Sequence, residues 1–131
     1  RYVQAALRNE PLFVYGDGSQ TRTFCYVDDT VETCVKAHES NVFENDVINV
    51  GSESEITILE LARRVIKLAN SNSRIEFQPP LTEGDMTRRC PDTAKMRQLL
   101  DRPLVKLEDG IRRLIEHYGT PAAQAAVATA R

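Results

Sequence analysis

Thr57 and Glu60 place the firmest constraint on how this chain folds. A threonine followed three residues later by a glutamate is the signature of a capping box, which opens a helix. Behind it Ile58, Leu61, Ala62, Val65, Ile66 and Ala69 recur with helical period. Such a helix must bury its apolar stripe against other elements. Short β runs surround it. Leu12-Phe13-Val14-Tyr15, Phe24-Cys25-Tyr26-Val27 and Asp46-Val47-Ile48-Asn49-Val50 read as strands, and Arg74-Ile75-Glu76-Phe77 alternates like a half-buried one.

Further helices are predicted over residues 1–9, after Asp28 and Asp29, from Asp92 to Leu100, and along the stripe Leu107, Ile111, Leu114, Ile115 and Tyr118. Glu32, three residues beyond Asp29, approximates a second capping box, and Val27, Val31, Cys34 and Val35 share one face behind it. Short strands alternating with about five helices make the fold class α/β.

The chain has 131 residues, enough for one domain with a modest core. Its net charge of −2 is spread over interspersed acids and bases, which argues against general binding to nucleic acid or anionic membranes. No apolar run approaches a membrane span, and no secretory signal pattern is present. Cys25, Cys34 and Cys90 form an odd, widely spaced set, neither a disulfide framework nor a zinc site. They read as reduced thiols of a cytoplasmic protein, with Cys25 and Cys34 in the core. His38 and His117 fall on different predicted helices and read as structural. The opening "RYVQAALRNE" starts inside a helical pattern, as a piece of a longer protein would, and the Ala-rich end, 119–131, reads as a frayed tail.

Two groups of residues could carry chemistry. Gly16-Asp17-Gly18-Ser19 is a turn, and Gln20, Thr21 and Arg22 follow it. Arg22 is either a surface charge beside a turn or an anion ligand. A guanidinium presents a planar fork of donors that matches phosphate oxygens and stays charged at any working pH. Arg88-Arg89 closes the long loop 78–90, ahead of a capped helix. Loops of that length inside a compact domain are functional or disordered. Asp85 could accept from a ribose or hold an arginine, and Phe13, Tyr15, Phe24 and Tyr26 could offer a wall to a planar ring.

Two absences matter equally. "GDG" is followed by a strand, and Thr21 stands where a third glycine would be needed, so no dinucleotide-binding fingerprint is present. No Tyr-x-x-x-Lys pair occurs either.

In order, "PLFVYGDGSQTRTFCYVDDTVE", "VINVGSESEITILELARRV", "GDMTRRCPDTAKMRQLL" and "LEDGIRRLIEHY" resemble the C-terminal part of the extended short-chain dehydrogenase/reductases, the NAD-dependent epimerase/dehydratase family. Within it the pattern is most similar to the UDP-glucuronate decarboxylases, with dTDP-glucose 4,6-dehydratases and nucleotide-sugar 4-epimerases as neighbours. The resemblance covers residues 1–118. It implies a Rossmann-type enzyme whose N-terminal half holds NAD and whose C-terminal part, this chain, binds a UDP- or dTDP-sugar. The full enzyme is then expected to be a homodimer, and this segment alone to be inactive and to expose apolar surface that packs on the Rossmann half.

Carried over by position, Arg22 matches the arginine that approaches the substrate diphosphate. Arg89, in the "R-x-P-D" pattern, matches the one that reaches the nucleotide and its phosphates. Val14 and Tyr15 match the strand bordering the base, Gln20 supplies a nearby donor, and Asp85 matches an acidic position near the ribose. There are departures: Met86 stands where decarboxylases commonly have proline, and Asp101-Arg102-Pro103 replaces Gly-Trp-Glu-Pro. The competing reading is a non-catalytic interaction module whose arginines are surface charges.

Overall fold

The computed structural model describes residues 1–81 and 86–120. In chain order the elements are α1 (Tyr2–Leu7), β1 (Leu12–Tyr15), β2 (Thr21–Thr23), α2 (Val27–Glu39), β3 (Glu55–Thr57), α3 (Ile58–Leu68), β4 (Ile75–Gln78), α4 (Ala94–Leu100) and α5 (Leu107–Gly119). β1 and β4 pair in parallel, Leu12 opposite Ile75 and Tyr15 opposite Gln78. β2 and β3 pair antiparallel, Arg22 opposite Ile56.

β1 shows the period of a strand covered on one face. Leu12 and Val14 are wholly buried while Phe13 and Tyr15 are exposed. The inner face meets a layer of three helices: Val3 and Ala6 from α1, Ala62 and Val65 from α3, and Ile111 from α5 complete the core. α3 opens as its sequence requires, with the Thr57 hydroxyl oxygen accepting from Glu60 N–H at 3.1 Å. α2 and α4 form a second packed pair, in which Met96 and Leu100 are buried.

Several expectations are corrected here. The second strand is Thr21–Thr23, upstream of the aromatic run, because that polar stretch is the one that meets β3. Val27 instead starts α2, with Asp28 and Asp29 in the first turn, where carboxylates favour the positive helix end. Neither aspartate caps it; Tyr26 is the N-cap residue and makes no side-chain cap bond.

The buried residues of α2 are Asp29 and Thr33, and the valine face lies outside: Val27, Val31 and Val35 are exposed, as is Cys34. Cys25 is half-buried. Residues 46–50 form no strand, and Val47 is 76% exposed. Among the described residues no strand pairs with them, and a strand without a neighbour has no ladder to join. The Ala-rich end lies largely outside the described residues, and α5 runs through Gly119, one residue past the expected stop.

Candidate functional site

The turn after β1 is built by two glycines and an aspartate. Gly16 and Gly18 have φ of 67° and 74°, in the left-handed region that glycine adopts without steric cost. A Cβ on Gly18 would also lie 2.7 Å from Val14 Cγ1 and 2.9 Å from Leu59 Cβ. Asp17 Oδ1 accepts from Ser19 Oγ at 2.7 Å and from Ser19 N–H at 2.9 Å. Those bonds, the hydroxyl's first, hold the Asp17 carboxyl below its ordinary range. The turn is docked on α3: Ile58 N–H donates to Gln20 O and Leu59 N–H to Gly18 O, each at 3.1 Å.

This turn forms one wall of an open cleft of about 600 Å³. Tyr15, Asp17, Ser19 and Gln20 line it on one side, Leu81 and Thr87 on the other. Gln20 Nε2 donates to Tyr15 O at 3.0 Å, which fixes the amide against the strand end. Val14 is a correction: its side chain is wholly buried and supports the cleft from beneath instead of lining it.

The arginines stand where the loop rejoins the fold. Thr21 N–H donates to Thr87 O at 2.9 Å, and Thr21 and Arg88 form a parallel bridge. Arg22 and Arg89 each follow directly in sequence on one of the two bridged residues. Arg22 is part-buried, and its Nη1 donates to the backbone oxygens of Thr21 and Met86, both at 2.7 Å. Arg89 is exposed. Arg88 turns to Glu55, with Nη2 2.6 Å from Oε1, and this bond together with the Thr21 hydroxyl holds the Glu55 carboxyl below its usual range. Asp85 lies outside the described residues.

Of the residues singled out by sequence reasoning, Tyr15 and Gln20 line this cleft, while Arg22 and Arg89 are not among its lining residues and lie beside the Thr21–Arg88 bridge. Sequence reasoning missed Thr87 and the Glu55–Arg88 pair. The signal for Glu55 was its spacing from the capping residue Thr57, which puts both on one side of a strand. Among the described residues no group of three or more His, Cys, Asp or Glu could hold a metal ion.

A second cavity, of about 320 Å³, is apolar and is walled by Tyr2, Val3, Tyr26, Leu61, Ile111 and Leu114. It carries no arginine except Arg1 at its rim, so it offers little to a phosphate.

The profile of the NAD dependent epimerase/dehydratase family matches residues 1–51. UDP-N-acetyl-alpha-D-glucosaminuronate decarboxylase of Bacillus cytotoxicus is 36% identical over 124 residues, 90% of this chain and 38% of the relative. UDP-glucuronic acid decarboxylase 1 of Danio rerio is 41% identical over 118 residues, 89% of this chain and 28% of the relative.

Among solved structures, the UDP-glucose 4-epimerase of Thermotoga maritima with UDP-glucose superposes with a TM-score of 0.82 at 28% identity, covering 90% of this chain and 38% of that one. The UDP-glucuronic acid 4-epimerase of Bacillus cereus, in complex with UDP-glucuronic acid and NAD, gives 0.76 at 30%, covering 89% and 38%. The chain therefore spans less than two fifths of the length of these relatives. The chain thus matches the NAD dependent epimerase/dehydratase family over residues 1–51, and along nearly all its length it is similar to decarboxylases and shares its α/β fold with Rossmann-type epimerases.

Proposed function

We propose that residues 1–118 form the nucleotide-sugar-binding part of an NAD-dependent enzyme acting on a UDP- or dTDP-sugar, most like the UDP-glucuronate decarboxylases. The observation that supports this reading is the bridge between Thr21 and Arg88, whose sequence neighbours are Arg22 and Arg89, on a stretch whose Thr87 lines a cleft of about 600 Å³. Two guanidinium groups beside one cleft suit a diphosphate, and Tyr15 and Leu81 at its wall suit a base. The names of the relatives favour UDP over dTDP.

The chain lacks the glycine fingerprint and the Tyr-x-x-x-Lys pair, so its own residues do not fit NAD. NAD, held by the rest of the enzyme, supplies hydride acceptance and return. This chain contributes position: anchoring the diphosphate fixes where the sugar ring lies, and holding a reactant in place lowers the barrier without further chemistry. The exposed valines of α2 supply an apolar face for docking on that other part. The full enzyme, in this reading, is a cytoplasmic homodimer. Among the described residues no helix is long and apolar enough to cross a membrane.

Calorimetry of this chain with UDP, dTDP and inorganic phosphate tests the proposal. UDP uptake that Arg89→Ala abolishes supports it. Indifference to all three would favour a protein-interaction module, for which the valine face of α2 would be the contact surface.

A further inference from the structure

Three anchors hold the stretch that carries Arg89. Upstream, Thr87 O accepts from Thr21 N–H along β2. Downstream, Glu53 Oε1 accepts from the backbone N–H and the hydroxyl of Thr93 at 3.0 and 2.9 Å. Between them Arg88 grips Glu55 with two nitrogens. Nε lies 3.0 and 3.1 Å from the carboxylate oxygens, and Nη2 lies 2.6 Å from Oε1. Glu55 Oε2 also accepts the Thr21 hydroxyl at 2.8 Å. One carboxylate thus ties the loop, β2 and β3 together.

The side chain of Arg88 is 68% exposed, so the pair adds little to global stability. Its geometry is nevertheless that of a fork on a carboxylate, which restricts rotation as well as distance. Fixing Arg88 fixes the backbone of its neighbour Arg89. Fixing Thr21 does the same for Arg22. A ligand that must order two arginines on binding loses affinity to that ordering, and a site already ordered does not.

We infer that Glu55 and Arg88 are positioning residues for the nucleotide site. They do not touch the ligand, and by fixing Thr21 and the loop they hold the neighbouring Arg22 and Arg89 where both reach one diphosphate. The inference rests on the reading of the cleft given above. Arg88, adjacent to Arg89 in sequence, is by this account committed to the protein and not to the phosphate.

The test is calorimetric titration of this chain with UDP, together with amide hydrogen exchange at Thr21, whose N–H reports the docking of the loop. Glu55→Gln and Arg88→Gln are each expected to raise the Kd for UDP about three- to fivefold, the scale of a well-formed surface ion pair, and to speed exchange at Thr21. The double exchange Glu55→Arg with Arg88→Glu is expected to recover most of the affinity, which a loss of fold would not allow. Unchanged affinity in Glu55→Gln and Arg88→Gln, with Arg89→Ala still weakening UDP, overturns the positioning role alone. Unchanged affinity in both Arg22→Ala and Arg89→Ala overturns the nucleotide reading and this inference with it.

Discussion

Asp29, wholly buried in the first turn of α2, accepts from Arg102 Nη1 at 2.7 Å across 73 residues of chain. Its second oxygen accepts from Val105 N–H at 2.9 Å. Removing the guanidinium would leave a buried carboxylate with one partner instead of two. Arg102→Met is therefore expected to destabilise the fold by about 2–3 kcal/mol, below the range for a fully buried pair because Arg102 itself stays partly exposed. Chemical denaturation measures it, and a change under 0.5 kcal/mol would refute this account.

Gly18 meets two constraints at once, a positive φ and contact with Val14 and Leu59. Gly18→Ala is expected to cost about 2–3 kcal/mol, since strain and overpacking act together. The thermal midpoint reports it. Gly119, where an added Cβ meets nothing within 4 Å, is the control, and alanine there is expected to cost far less.

Arg22 ties β2 to the loop backbone at Met86, next to Thr87 of the cleft wall. Arg22→Ala is expected to weaken UDP-sugar binding in the full-length enzyme by about 1.5–3 kcal/mol, the scale of a charge-assisted hydrogen bond. Equal affinity by calorimetry would remove Arg22 from the site.

Glu53 carries the pH dependence that is simplest to isolate. The Thr93 N–H, then Arg97 and the Thr93 hydroxyl, pull its carboxyl down to about 2 from an ordinary 4.5. A depressed folded value means that the contribution to stability is complete above 4.5 and disappears as pH falls toward 2. The thermal midpoint of Glu53→Gln is expected to fall less steeply than that of the unaltered chain across this window. Parallel slopes would show that the carboxylate contributes nothing. The other lowered acids, Asp17, Glu32, Asp46, Glu55 and Glu108, keep the variant from being flat.

Local rules located α3, β1 and α5 through a cap or the period of one buried face; β4 was located too, but no residue of it is buried and Phe77 is exposed, so its period did not mark a core face. They failed where long-range partners decide. Thr21–Thr23 has weak apolar signal and became a strand through β3, 34 residues away at Thr21 and Glu55. Val47–Val50 has strong signal and no strand beside it among the described residues. The valine face of α2 kept its period but faces outward, and the burial of Asp29 was invisible because its partner Arg102 lies so far along the chain. The site was legible as a set of residue types. Its assembly by one bridge between Thr21 and Arg88 was not.

The leading end of α3 has its first three amides engaged, by Gln20 O, Gly18 O and the Thr57 hydroxyl. Those three amides are therefore not available to cradle an anion, and a phosphate retained nearby depends on side-chain cations. Retention of that kind weakens as ionic strength rises, most for exposed Arg89 and less for part-buried Arg22, because screening acts chiefly on solvent-facing charge.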